Sequence, residues 1–387
     1  NICPRYIYPV SLYFNFIFSI FVFSMTESAK KNRIIFIDIM RAVAVFQMVQ
    51  GHTIDAFLSN DYRTLNNPVF ATWFFMRGVT APIFLFSAGA VFTYLFRLND
   101  KPFDSNPRVT KGLKRFALLL FLGYMLRFPA PTLIDFSSVS PTAWQTFESI
   151  DVLQLIGTGL LFIITTFFLI EKFKLNDYWV FGSTALFSIF IFPLTELVNW
   201  TKYFPVYLAS FFYKGTGSQF PIFPWIGFIL AGAFLGTYLA KNPMIFKTAR
   251  FSRNLFLSGI LFLLIALIGH IIASMCFPYY YWDTSPNLMM LRLGFVLILN
   301  AIVSMICLKI ESIPRIIILI GRNTLLIYVV HLVILFGSAW NPGLSVLFDR
   351  AFNVWNTLGS AILMLGLMTL MVYIIHKLKM KNKELVT

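Results

Sequence analysis

Six ionisable side chains stand inside stretches of this sequence that are otherwise apolar: Asp38, Arg41, His52, Arg77, Arg292 and His331. Burying such groups in hydrocarbon is costly, so they face a cavity or a partner and mark where chemistry can occur. His270 and Arg322 form a second tier. Arg41 and His52 are eleven residues apart, which at about 100° per residue places them within roughly 20° on one helix face and about 16 Å apart along its axis. One face therefore presents a guanidinium and an imidazole at two depths. Asp38, three residues before Arg41, is placed to hold that guanidinium by an ion pair. An imidazole so placed can act as a general base or as a nucleophile, and arginines bind anions or stabilise an oxyanion. The structural alternative is that Asp38 and Arg41 neutralise each other, that His52 is interfacial, and that Arg77 and Arg292 snorkel to the membrane surface.

The elements that must position these residues follow from composition. Of 387 residues, 58% are apolar and 12% charged, against about 45–50% and about 25% in soluble domains. The apolar residues, including 45 Phe, gather into runs long enough to cross about 30 Å of hydrocarbon as helices. Short segments of alternating polarity, the mark of a barrel, are not the pattern. The expected fold is an all-α polytopic bundle of about ten transmembrane helices, at 34–58, 69–96, 113–131, 152–170, 178–195, 222–240, 254–276, 288–308, 315–336 and 357–376. Segment 203–213 is too short to cross and is expected to be re-entrant or interfacial. Residues 1–24 read as a doubtful leader, either translated upstream sequence or an extra hydrophobic segment, and 25–387 as one transmembrane domain.

Of the 31 Lys and Arg, 21 flank alternate span ends, which predicts that both termini are cytoplasmic. The same bias explains the net charge of +15 through anionic lipids rather than nucleic acid. The expected location is a bacterial cytoplasmic membrane. Cys3, Cys276 and Cys307 show no metal or redox spacing, and no metal is expected. Seven of the eight tryptophans fall at outer span ends, which fits either a one-sided aromatic belt or stacking on a sugar. Gly232 and Gly236 form a GxxxG suited to close helix packing. No inverted repeat, common in secondary transporters, is evident.

The stretch Arg33-Ile-Ile-Phe-Ile-Asp-Ile-Met-Arg41, with Gly51-His52 after it, resembles the opening of the transmembrane acyltransferases. Four further stretches are similar to the heparan-α-glucosaminide N-acetyltransferase-like branch, which is related to acyltransferase family 3. These are Thr80-Ala-Pro-Ile-Phe-Leu-Phe-Ser-Ala-Gly89, Val152-Leu-Gln-Leu-Ile-Gly157, Phe220-Pro-Ile-Phe-Pro-Trp-Ile-Gly227, and Gly321-Arg-Asn-Thr-Leu-Leu-Ile-Tyr-Val-Val-His331. Two positions depart from the pattern: Ala42 follows Arg41 where many relatives have Gly, and Gly51 stands where they have Asp. Asp55, three residues past His52 on nearly the same face, is the candidate to take over orientation of the imidazole.

The resemblance implies an enzyme that moves an acetyl or other acyl group from cytoplasmic acyl-CoA to an amine or hydroxyl of a sugar or glycan on the outer side. In that reading His52 and Asp55 are catalytic, and Asp38, Arg41, Arg77, Arg292 and His331 bind substrates. Basic segments 97–115 and 241–253 would hold the CoA phosphates with Arg41. Two other classes fit the same residues: a secondary transporter of a sugar or organic anion, and a noncatalytic membrane subunit of glycan assembly.

Overall fold

A computed structural model describes residues 34–99, 101–132, 135–276, 285–310 and 312–384. The leader segment, Cys3, Arg33 and Trp282 lie outside the described residues.

The starts of the helices are written locally. Asn67 accepts hydrogen bonds from the backbone of Val69 and Phe70 ahead of α2 (Pro68–Arg97), and Asn106 caps α3 (Pro107–Leu126) through Arg108. Each cap satisfies otherwise orphaned N–H groups and is worth about 1 kcal/mol, while the proline that follows has no N–H to lose. The first helix, α1, spans Ile35–Phe57. Beyond α3 come a short amphipathic helix α4 (Pro141–Glu148), α5 (Val152–Phe173), α6 (Asp177–Phe190) and α7 (Phe192–Leu197). The chain continues through α8 (Ile222–Lys241), α9 (Ala249–Cys276), α10 (Pro286–Lys309), α11 (Arg315–Arg322), α12 (Thr324–Phe336) and α13 (Val354–Glu384). A two-residue hairpin ladder, β1 (Gly337–Ser338) with β2 (Asn341–Pro342), follows α12.

Every expected span contains helix, with informative differences. The third begins six residues early because Asn106-Pro107 is a start signal, and it ends at Leu126, short of Pro129 and Pro131. The fifth breaks after Phe190, since Pro193 opens a second short helix and cannot donate to a continuing one. The ninth is two helices bent by 74° at Asn323. Segment 203–213 holds only one helical turn, Val206–Ala209.

Seven helical segments among the described residues are long and apolar enough to span a membrane, and the bent pair α11–α12 makes eight. Neither α1 nor α3 is among the seven. The first carries Asp38, Arg41, Gln47, Gln50, His52 and Asp55, and the second carries Arg108, Lys111, Lys114 and Arg115. Helix α9 leaves Leu257, Leu261, Leu264, Ile268, Ile272 and Met275 exposed. So continuous an apolar surface suits hydrocarbon rather than water.

Helix α1 lies at the centre, packed by α2, α10, α11, α12 and α13, and α8 packs against α2, α5 and α6. Two of the glycines that allow close backbone approaches bear on the site. A methyl group at Gly232 would collide with the Phe86 carbonyl of α2, and one at Gly321 with the Asp38 carbonyl of α1. The expected GxxxG contact is therefore the α2–α8 seam. The Gly321 contact locks α11 against α1 just before the bend, which positions the start of α12 beside Arg41.

Candidate active site

Arg41 and His52 both line one cavity of about 2050 Å³, as their shared helix face requires. The Arg41 Nη2 donates to Thr324 Oγ1 at 2.8 Å, so the first residue of α12 fixes the guanidinium. Asp38 is buried and does not line the cavity. Further along the cavity, the His52 ring stands 5.5 Å, centroid to centroid, from that of His331 on α12, and Phe336 closes on its edge at 6.0 Å.

His331 is fully buried, and its Nδ1 lies 2.6 Å from the carbonyl oxygen of Ile327. A carbonyl only accepts, so Nδ1 carries a proton and donates it. Its Nε2 is buried with no hydrogen-bond partner. Against that nitrogen a neutral His331 offers a lone pair, which is a complement for a proton held on a neighbouring group.

Asp55 is held by cations rather than by the imidazole. It forms ion pairs with Arg77 and, at 3.6 Å, with Arg63. Arg63 also donates to the backbone carbonyls of Ile54, Asp55 and Leu58, closing the end of α1. Burial pushes the Arg63 guanidinium down and the Asp55 charge opposes that shift. Arg77 is thereby anchored one helix away from His52, with its aliphatic stem beside Gly51. The Arg292 guanidinium stands 5.5 Å over the Trp225 ring and close to Gly78, and all three residues line the cavity. His270 is not among the lining residues.

Several lining residues were not singled out by sequence. Arg127 donates to Ser149 at 2.6 Å and to Asp151 at 2.9 Å, and Tyr328 donates to the same Asp151 carboxylate at 3.3 Å. Asp151 also caps α5 in a capping box with Gln154. The sequence signal for Asp151 was its place before an apolar helical run with Gln three residues on. Thr324 and Tyr328 sat within the recognised stretch ending at His331, but their contacts depend on the bend at Asn323.

The basic groups divide into two sets. Arg108, Lys111, Lys114 and Arg115 on the first half of α3 line the cavity together with Arg41. The expected participation of segment 241–253 is not seen: none of its residues lines the cavity, and Lys241 with Arg97 instead pairs with Asp177, at 3.6 and 2.7 Å. Of the described tryptophans, Trp225 alone lines the cavity, and Arg292 occupies one side of its ring. No group of three or more metal-ligating side chains occurs among the described residues.

The extent of the cavity follows from α3. Arg108 near its start and Arg127 just past its end both line the cavity, and the nineteen residue steps from one to the other rise about 28 Å in a helix, close to the thickness of a hydrocarbon core. The α3 cations, His52 and the polar group around Arg127 and Asp151 thus line one cavity.

Residues 33–270 match the family described as heparan-alpha-glucosaminide N-acetyltransferase, catalytic. No curated protein matches the chain. Arg292, Thr324 and Tyr328 lie beyond the matched residues, and the fold brings them to the same cavity as Arg41 and His52; His331, also beyond the match, does not line the cavity and stands buried behind the His52 ring.

Proposed function

Because the chain belongs to the heparan-alpha-glucosaminide N-acetyltransferase family, we propose that it is a membrane acetyltransferase that carries an acetyl group from acetyl-CoA on one side of the bilayer to a sugar amine or hydroxyl on the other. The observation that carries this reading is the single cavity lined both by Arg41 with the α3 cations and by His52, whose ring is backed by the buried His331. A cluster of four Lys and Arg on one helix suits the phosphates of CoA, with Arg41 deeper along the path of the pantetheine arm. By the distribution of positive charge, that mouth is cytoplasmic, and both termini lie on the same side. The ten helical spans, α1 and α3 included, then all cross the membrane.

In the chemical step His52 takes the proton of the acceptor nitrogen or oxygen as that atom attacks the thioester carbonyl. The new C–N or C–O bond forms, the C–S bond breaks, and the departing CoA thiolate receives the proton from His52. His331 Nε2 steadies the transient imidazolium, and Arg77 and Arg292 face the oxyanion. Asp55 positions Arg77 through their ion pair.

The test is transfer of label from acetyl-CoA by the purified protein in liposomes, with a panel of amino sugars and glycans as acceptors. Label on an acceptor supports the proposal. Acceptor movement without label identifies a transporter, and a His52→Gln variant with full biological function identifies a noncatalytic subunit.

A further inference from the structure

A second cleft, of about 630 Å³, opens between α11 and the Lys-rich end of α13 and shares no lining residue with the large cavity. Its walls are two helix stripes. Arg315 and Leu319 stand one turn apart on α11, while Tyr373, Lys377 and Lys381 follow at four-residue steps on α13, with His376 beside them. The Lys377 ammonium sits 5.0 Å over the Tyr373 ring, which holds the cation at the rim. No carboxylate lines the cleft among the described residues.

Its depth is set by α13. The candidate span Val354–Lys381 ends in these turns, where apolar sequence gives way to lysines, so the cleft lies at the boundary between hydrocarbon and water. Cations at the rim demand an anion, and the aliphatic walls demand a hydrocarbon chain. A soluble phosphate meets only the first demand. A zwitterionic lipid meets the second but sets its own ammonium against Arg315 and the lysines.

We propose that this cleft is a binding site for an anionic phospholipid, with the phosphodiester on Arg315, Lys377 and Lys381 and an acyl chain along Leu319. Basic pockets between spans at the membrane surface select such headgroups.

Native mass spectrometry of the purified full chain tests this, using equal concentrations of phosphatidylglycerol and phosphatidylcholine with identical acyl chains. Phosphatidylglycerol should be retained preferentially, and the Arg315→Gln/Lys377→Gln double variant should lose about five-fold in that preference per cation removed. The charge-preserving Arg315→Lys/Lys377→Arg variant should keep it, which separates charge from folding. Equal retention of the two lipids by the wild type, or an unchanged preference in the neutral double variant, overturns the site. So does an equal loss in Lys247→Gln, which lies outside the cleft, or displacement of the lipid by equimolar glycerophosphate.

Discussion

His52 and His331 sit with ring centroids 5.5 Å apart and planes tilted by 38°, although 279 positions separate them in the sequence. Because Ile327 engages Nδ1 of His331, only its Nε2 remains to accept. The pair is therefore asymmetric: His52 meets the substrates in the proposed mechanism and His331 supports it. His52→Gln should lower kcat by about 10²–10⁴-fold, the range of a lost general base. His331→Phe should lower kcat by about 10–100-fold, the worth of one hydrogen bond to a charged group, with acetyl-CoA affinity unchanged. The double variant should fall little below His52→Gln alone, because the second residue acts through the first. Steady-state kinetics on the four proteins check all three statements.

Thr324 fixes Arg41 at 2.8 Å, so the two should fail together. Thr324→Val and Arg41→Ala should each weaken acetyl-CoA binding, by about 10-fold or more for loss of a charge-assisted contact. Arg41→Lys should restore part of it, since the charge returns without the planar fork. Direct titration of acetyl-CoA binding reads this apart from turnover.

Lys111 and Lys114 line the cavity near its cationic mouth, whereas Lys247 does not line it. Neutralising either of the first two with Gln should raise KM for acetyl-CoA with kcat nearly unchanged. The increase should shrink at high ionic strength, where exposed charges are screened. Lys247→Gln should leave KM at the wild-type value.

Asp151 joins Arg127, Tyr328 and the start of α5. Asp151→Asn keeps a capping side chain but loses the ion pair, and Asp151→Ala loses both. Thermal unfolding in detergent should rank them wild type, Asn, Ala, with about 1–2 kcal/mol between the last two for the cap.

Single cysteines at Arg108 and Lys247 should react with an impermeant reagent from the cytoplasmic side, and those at Asn66 and Thr142 from the opposite side. Labelling of the Arg108 position from outside contradicts the proposed orientation.

Much of the helical scaffold was legible because apolar length is a local signal, as at the start of α5 after Asp151; the Asn106-Pro107 start was missed because the basic first half of α3 hides it from a reading by apolar length. The Arg41–His52 face was legible too, since one helix carries both. The bend at Asn323 was not, because an apolar run from Arg315 to Phe336 has no proline within it and the break is stabilised by tertiary contact at Gly321. With the bend went the partners it creates, Thr324 for Arg41 and Tyr328 for Asp151. The role of Asp55 also needed the fold: its sequence distance suits His52 as well as it suits a cation, and only packing brings Arg77 and Arg63 to it.

The central claim is that one passage joins donor and acceptor across the membrane, and sidedness of turnover tests it most directly. Proteoliposomes of defined orientation receive labelled acetyl-CoA only at the α3 cationic mouth and acceptor only on the opposite side. The account predicts labelled product on the acceptor side, with free CoA left on the donor side and the rate abolished in His52→Gln. Product formed only when acceptor and acetyl-CoA share a side would contradict it.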